Sequence, residues 1–174
     1  MLFSSVLLSM KSYKIAVIGI WHLGEIYSAC LASLGHTVVG ISEDAASIEK
    51  LNQGIPPLPE PQLEELILKN KGEGHLSYST DYSSVKECNV VWLTFDTPVA
   101  DDDEVDPSPI MKAVDTAIPY LQNDILFVVS SQLPVGTSRE IMERLKTARP
   151  EISFEYVYTP ENLRLGEAVK CFLD

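Results

Sequence analysis

The sequence is poor in cysteine and in positive charge. Its three cysteines, Cys30, Cys88 and Cys171, lie far apart without metal-ligand spacing, which excludes a disulfide scaffold and favours reduced thiols in a cytoplasmic protein. Lysine and arginine number 13 against 25 aspartates and glutamates, so the net charge is -12. A surface of this sign repels nucleic acid and anionic membranes, and we expect neither as a partner.

Long hydrophobic runs are also absent. No segment approaches the roughly 20 consecutive apolar residues that a transmembrane helix needs. The apolar run at residues 6–8 has no basic residue before it, unlike a signal peptide, so we expect residues 1–12 to form a disordered or irregular leader. With 45% hydrophobic residues, the 174-residue chain can build one domain with its own core, which we assign to residues 13–174.

Short apolar segments alternate with amphipathic ones along this domain. The predicted strands cover residues 14–18, 37–41, 76–78, 90–93, 125–130 and 154–158. The predicted helices cover residues 24–33, 44–51, 63–67, 83–87, 110–121 and 137–146. Such alternation predicts an α/β fold with a doubly wound, mostly parallel Rossmann-type sheet and helices on both faces. Ligands of these sheets bind beyond the carboxyl ends of the strands.

A glycine-containing turn, GIWHLG, joins the first predicted strand to the first predicted helix. In a dinucleotide-binding fingerprint the first glycine allows the tight turn, the third allows close helix packing, and the pyrophosphate lies at the helix N-terminus. We therefore predict cofactor contacts from Gly19, Trp21, His22, Leu23 and Gly24. Trp21 replaces the second glycine. The alternative is a simple tight turn, in which Trp21 blocks the site and His22 only packs.

A dinucleotide site also requires a ribose-binding residue at the end of the second predicted strand. An acidic residue about 20 positions after the glycines usually accepts a hydrogen bond from the adenosine ribose. Ser42 occupies the usual position of that acid and Glu43 follows it, so both are candidates for the ribose contact. Asp44 fits better as the N-cap of the next helix.

Several longer segments carry a more specific pattern. The first comprises residues 15–19 and Gly24, and the second comprises residues 49–54, Pro57 and residues 60–61. The other three are residues 97–98, 131–137 (SQLPVGT) and 159–166 (TPENLRLG). Together they resemble the N-terminal, NAD-binding domain of the UDP-glucose/GDP-mannose dehydrogenase family, over nearly the whole chain from Lys14 onward. The last two segments are far more specific than the glycine turn.

The resemblance implies an NAD-dependent oxidoreductase that acts on a UDP- or GDP-linked sugar, as in polysaccharide biosynthesis. Complete members oxidise the sugar's C6 alcohol to a carboxylate in two hydride transfers, through a thiohemiacetal on a cysteine. That cysteine, a catalytic lysine, and the middle and substrate domains lie beyond the 174 residues of this chain. The resemblance also implies a homodimer for the full-length protein.

The resemblance assigns roles to individual residues. It places Leu23 at the pyrophosphate, Ser42 at the ribose, and Thr97 and Gln132 on the nicotinamide side. The candidate catalytic residues are Gln132 and Glu161, the latter for acid–base or water-positioning work. The candidate substrate-binding residues are Glu161, Asn162, Leu163 and Arg164.

Position alone leaves the role of Glu161 open. Its carboxylate follows Pro160 at the end of a predicted strand, where a raised pKa would allow it to act as a general base. It could equally complement the dipole of a helix beginning near Asn162. The resemblance favours the functional interpretation.

Four residues depart from the family pattern. Trp21 replaces a glycine, Ser42 an aspartate, Gln132 a threonine and Leu165 a glutamate. The alternative function is therefore a Rossmann-like nucleotide-binding or regulatory module that has lost dehydrogenase activity. A 6-phosphogluconate or 3-hydroxy acid type of dehydrogenase fits less well, because it needs a different loop at residues 131–136. No metal is expected, since the acidic run at residues 101–106 lacks the glycine and final glutamate of a calcium loop.

The purified 174-residue chain is expected to show no dehydrogenase turnover, because the cysteine that the resemblance implies is not in it. The measurement is NADH absorbance during incubation with NAD and UDP-glucose or GDP-mannose. Substrate-dependent NADH formation would contradict this expectation.

Overall fold

The computed structural model of the chain describes residues 11–95, 106–160 and 163–174. These residues form a six-stranded sheet in which all neighbouring strands are parallel. The strands are β1 (Lys14–Ile18), β2 (Thr37–Ile41), β3 (Leu76–Ser79), β4 (Val90–Leu93), β5 (Ile125–Val129) and β6 (Phe154–Tyr158). Their order across the sheet is β3-β2-β1-β4-β5-β6, which confirms the predicted doubly wound fold.

Helices connect the strands and cover both faces of the sheet. They are α1 (His22–Ser33), α2 (Ala45–Asn52), α3 (Leu63–Gly72), α4 (Ser108–Ala117), α5 (Thr137–Ala148) and α6 (Ala168–Leu173). Two short 3-10 helices lie at Tyr82–Glu87 and Ile118–Tyr120. None of the helices in the described part of the chain has the length and apolar character needed to span a bilayer.

The hydrophobic core has one layer on each face of the sheet. Val17 of β1 packs in the layer formed with α1, α2, α3 and α6, whereas Ala16 and Ile18 pack in the layer formed with α4 and α5. Successive strand residues point to opposite faces, so residues 15–18 of β1 are all apolar and buried because both faces are covered. This explains why the strand is a continuous apolar run in the sequence.

Several predicted helices differ from the observed ones: the helix predicted over 63–67 extends to Gly72, and the one predicted over 83–87 is a 3-10 helix. Helix α1 begins at His22, two residues before the predicted start at residue 24. The segment predicted as a helix over 110–121 is α4 followed by a 3-10 turn, because Pro119 lacks an amide hydrogen and its ring clashes with the carbonyl one turn earlier. The helix expected to begin near residue 162 begins instead at Ala168.

Helix α1 packs unusually close to the turn after β1. A Cβ atom added to Gly24 would lie 2.3 Å from the carbonyl oxygen of Gly19 and 2.9 Å from the Thr94 hydroxyl oxygen. Neither distance leaves room for a methyl group, so α1 can hold this position only with glycine there. The predicted role of the third glycine, close helix packing, agrees with this geometry.

Replacing Gly24 with alanine is expected to destabilise the fold by about 3 kcal/mol, because the new methyl group must push α1 away from a backbone oxygen. The matched control is Gly72→Ala at the end of α3, where an added Cβ meets no atom within 4 Å. We expect this variant to be neutral or slightly more stable, by up to about 1 kcal/mol. Urea unfolding measures both, and equal stability of the two variants would contradict the packing argument.

Candidate functional site

A cleft lies at the carboxyl ends of β1, β2 and β4, close to the point where the strand order reverses. Its volume is about 520 Å³, and we call it the switch-point cleft. Its lining residues are Gly19, Ile41, Ser42, Glu43, Asp44, Tyr82, Phe95, Asp106, Ser108, Pro109, Lys112 and Ala113. The structure thus brings together Gly19, Ser42 and Glu43, which the sequence had placed at one ligand.

The turn after β1 directs the N-terminus of α1 to this edge of the sheet. Gly19 has a φ of +97°, which favours glycine, and its amide donates to the carbonyl oxygen of Ile41 at 3.1 Å. The first amides of α1 have no carbonyl one turn earlier to accept from them. They form a positive helix end directly after the Gly19 turn, which suits an anion.

Trp21 does not need to be glycine at its position. Its φ of -137° and ψ of -154° are extended values that any residue adopts, and it serves as the N-cap residue of α1. Its side chain is 48% exposed and is not among the residues that line the switch-point cleft. The side chain is therefore exposed and outside the cleft lining, and the backbone conformation at residue 21 does not require glycine.

A buried threonine that the sequence had not indicated fixes this turn from the neighbouring strand. The Thr94 hydroxyl, directly after β4, lies 3.0 Å from the carbonyl oxygen of Gly19 and 3.2 Å from that of Ile18, and donates to them. The contact spans 75 residues of sequence. Only the pairing of β1 with β4 brings these groups together, so no local pattern reveals it.

The end of β2 presents three polar residues with different partners. The Asp44 carboxylate caps α2, accepting from the amides of Ala46 and Ser47 and from the Ser47 hydroxyl, so its predicted capping role is confirmed. Hydrogen bonds from Ser47 hold the pKa of Asp44 below its usual range. The Ser42 hydroxyl oxygen accepts from the Asp44 amide at 3.2 Å.

Glu43 has a partner from across the cleft. Its carboxylate lies 2.6 Å from the Lys112 ammonium of α4, and both side chains are more than half exposed. Lys112 was not a candidate in the sequence. It lies 69 residues from Glu43, and a lone lysine on a predicted helix carries no signal of such a contact.

Glu60 is a buried carboxylate beside His22, the first residue of α1. Its side chain is fully buried and accepts from the amides of Gly166 and Ala168, each at 2.8 Å. The His22 ring nitrogen Nε2 lies 3.4 Å from the same carboxylate. Burial opposes ionisation, but these hydrogen bonds outweigh it and hold the pKa of Glu60 below its usual range.

This carboxylate joins three segments that are distant in sequence. His22 begins α1, Glu60 precedes α3, and Gly166 and Ala168 lie at the start of α6. Within the sequence Glu60 was notable only as part of a family motif, because its partners lie 106 and 108 residues away. The ring of His22 is turned to Glu60, so any cofactor contact of His22 is left to its backbone.

The remaining predicted site residues lie elsewhere or are not described. Leu23 is buried and Leu163 packs partly buried on the same core layer, while Gln132 and Arg164 are exposed. The other three, Thr97, Glu161 and Asn162, lie outside the described residues. Their assignments, and those of the other site residues, stay predictions.

The two buried thiols, Cys30 and Cys88, are poor nucleophiles near neutral pH. Burial raises the pKa of Cys30 to about 12 and that of Cys88 to about 11, so both stay protonated and unreactive near neutral pH. Cys171 is exposed. Among the described residues there is no group of three or more histidine, cysteine, aspartate or glutamate side chains that could hold a metal ion.

Comparison with known families gives one match over almost the whole chain. Residues 13–174 match the NAD binding domain of the UDP-glucose/GDP-mannose dehydrogenase family. The UDP-glucose 6-dehydrogenase TuaD of Bacillus subtilis is 31% identical over 158 residues, which are 90% of this chain and 34% of that protein. A UDP-glucose 6-dehydrogenase of Rhizobium meliloti is 32% identical over 161 residues, 91% of this chain and 37% of that protein.

Solved structures give the same match. A GDP-mannose dehydrogenase from Pseudomonas aeruginosa superposes with a TM-score of 0.85 at 26% identity, over 91% of this chain and 38% of that one. A UDP-glucose dehydrogenase from Pyrobaculum islandicum superposes with a TM-score of 0.87 at 26% identity, over 95% of this chain and 39% of that one. The chain thus spans less than two fifths of the length of each of these four proteins.

Replacing Glu60 with glutamine is expected to lower the free energy of unfolding by about 1–3 kcal/mol near neutral pH, because the amide group cannot accept from both backbone donors. The folded pKa of Glu60 is lowered, so its contribution is present above the ordinary value of about 4.3 and is lost as pH falls through the folded pKa.

Urea unfolding from about pH 7 down to about pH 3 tests this dependence. The stability gap between the parent chain and Glu60→Gln should narrow at the acid end. Glu143→Gln, at an exposed position of α5, is the control and should match the parent near neutral pH. A gap that stays constant with pH would refute the role of the ionised carboxylate.

Proposed function

The chain belongs to the UDP-glucose/GDP-mannose dehydrogenase family, as its NAD-binding domain, and from this premise we propose that it binds NAD at the switch-point cleft for the oxidation of a nucleotide sugar. The observation that carries the proposal is the turn at Gly19, which lines the cleft and leads into the N-terminus of α1. The cleft volume of about 520 Å³ lies within the roughly 300–1,000 Å³ of small-molecule sites.

The described residues suit both parts of the cofactor's adenosine diphosphate, the pyrophosphate and the adenosine ribose. The amides of the first turn of α1, at His22, Leu23 and Gly24, donate to the pyrophosphate, and Gly19 lets it approach the backbone. The adenosine ribose lies at the end of β2, against Ser42 and Glu43. Trp21 contributes its backbone and leaves its side chain outside the cleft.

The nicotinamide end extends towards β5, where Gln132 follows the strand, with Thr97 after β4. When bound, NAD supplies the hydride acceptor for oxidation of the sugar alcohol to a uronate. Glu161, Asn162, Leu163 and Arg164 follow β6 in the sequence, and we assign them to the nucleotide sugar, with Glu161 in acid–base or water-positioning work.

The wider role follows the family. We place the protein in the cytoplasm and in polysaccharide biosynthesis, with a UDP- or GDP-linked sugar as substrate and a homodimer as the full-length form. The cysteines are few, and two of them are buried and unreactive, which supports a reducing compartment such as the cytoplasm.

The second candidate is a nucleotide-binding module without dehydrogenase activity. Its grounds are Ser42, Gln132 and Leu165 in place of family residues, together with Trp21. Leu165 is 66% exposed, where the resemblance expects a carboxylate. The outward position of Trp21 favours cofactor binding, and a full-length chain that binds NAD yet forms no NADH with any nucleotide sugar would favour the module instead.

Paired substitutions at Trp21 test the pyrophosphate position. Aspartate and asparagine are equally good N-caps for α1, but only aspartate puts a negative charge where the pyrophosphate should lie. We expect NAD to bind Trp21→Asp at least about tenfold more weakly than Trp21→Asn, a difference of about 1.4 kcal/mol. Calorimetric titration with NAD measures both variants.

Thermal unfolding is the control for this pair, since both variants should keep the stability of the parent chain. Equal NAD affinity of the two variants would place the pyrophosphate away from α1. Absence of NAD binding to the parent chain would refute the proposed function itself.

A further inference from the structure

The two oxygens of the buried Glu60 carboxylate have different partners. Oε1 accepts from the Ala168 amide and Oε2 from the Gly166 amide, each at 2.8 Å. The His22 ring nitrogen Nε2 also lies beside Oε2, at 3.4 Å. An ionised carboxylate only accepts, so Nε2 is the ring nitrogen that carries a hydrogen here. The first residue of α1 and the segment before α6 thus donate to the same oxygen atom.

The segment that Glu60 binds is an exposed turn at residues 164–167. The Glu167 amide donates to the carbonyl oxygen of Arg164 at 3.0 Å and closes the turn. Gly166 has a φ of +89°, in the left-handed region that favours glycine. All four residues are exposed, and a cavity of about 250 Å³ lies between the turn and the residues before α3. Because packing is sparse, the position of the turn depends on its hydrogen bonds to Glu60.

Glu60 itself is fixed by the start of α3. Its carbonyl oxygen accepts from the amide of Leu63 at 3.2 Å, and the Leu63 side chain is fully buried. Helix α3 is joined to α1 by Asn70, whose side-chain amide donates to the Ser33 hydroxyl at 2.8 Å. The carboxylate therefore has a defined position beside α1, and the exposed turn is the less constrained of its partners.

The charge of Glu60 makes each of its donors important. Burial alone would raise the pKa of Glu60, yet hydrogen bonds from Gly166, Ala168 and His22 hold it below its usual range. A buried carboxylate stays ionised only when its oxygens are hydrogen-bonded, and such bonds to a charged acceptor are stronger than neutral ones. A change at one donor therefore alters how firmly the carboxylate holds the others.

We propose that Glu60 is a positioning residue that couples NAD binding at the start of α1 to the order of the turn at residues 164–167. NAD fixes the backbone of His22, the His22 ring steadies Glu60, and the carboxylate holds the turn that begins at Arg164. The inference rests on the proposed function, because it requires the NAD pyrophosphate at the start of α1. Coupling is reciprocal, so a nucleotide sugar that orders the turn also tightens NAD binding.

The coupling acts through conformational order. When NAD has already ordered one donor and the shared acceptor, the second donor forms its hydrogen bond at a lower entropic cost. A carboxylate with a purely structural role would hold the turn equally well with and without NAD. The response of the turn to NAD therefore distinguishes the two roles.

The test is hydrogen exchange of the Gly166 and Ala168 amides, measured by NMR with and without saturating NAD. In the parent chain NAD should slow their exchange about fivefold or more. The amide of Arg149, which donates to the Leu145 carbonyl at the end of α5, is the internal reference. Slowing is measured relative to this amide, because ligand binding also stabilises the fold as a whole.

Two substitutions of His22 keep or remove the donor. Glutamine places an amide nitrogen close to the position of Nε2, whereas methionine has nearly the same shape and no donor. Both are good helix formers. His22→Gln should keep the slowing by NAD. His22→Met should lose it, while the Gly166 and Ala168 amides stay protected in the absence of NAD.

Substitutions of two glutamates complete the design. Glu60→Gln should also lose the slowing by NAD, because its side-chain amide has one accepting oxygen in place of two. Glu64→Gln is the matched control, since it removes an exposed carboxylate from the first turn of α3. It should respond to NAD as the parent chain does.

The outcomes separate this inference from the proposed function. Binding of NAD without slower exchange at Gly166 and Ala168 would overturn the inference alone. So would equal slowing in His22→Met and His22→Gln, a comparison that does not depend on the folding of Glu60→Gln. No binding of NAD to the parent chain would overturn the inference and the proposed function together.

Discussion

The close contact between α1 and the turn after β1 determines where the other parts of the site lie. Helix α1 is buried over 10 of its 12 residues, and Gly24 brings it so near the Gly19 carbonyl that no side chain fits between them. A closely packed interior allows little adjustment around such a contact. The N-terminus of the helix is therefore fixed at the carboxyl edge of the sheet, beside β4.

The buried Glu60 carboxylate links α1 to the start of α6, the last helix of the chain. Glu60 must be hydrogen-bonded to stay ionised in the interior, and its donors come from His22 and from the start of α6. The segment assigned to the nucleotide sugar directly precedes α6. The first residue of α1 and the backbone at Gly166 and Ala168 thus share one hydrogen-bonding partner.

Local charge, rather than net charge, decides what the cleft can bind. The chain carries a net charge of -12, yet a helix N-terminus attracts an anion over a few ångströms. At the end of β2 the balance reverses, because three carboxylates outnumber one ammonium in the described lining of the cleft. One cofactor can meet both conditions, since its pyrophosphate is charged and its ribose is neutral.

The sequence by itself determined the fold class, the family and the strands, because these depend on apolar periodicity and on segments that are contiguous in the chain. It also located the turn at Gly19 and Gly24 and the N-cap at Asp44, where the reason is local. Tertiary structure decided the direction of the Trp21 side chain, the burial of Glu60 and the pairing of Glu43 with Lys112. These contacts join residues on different strands and helices, and only the packing of those elements brings them within hydrogen-bonding distance.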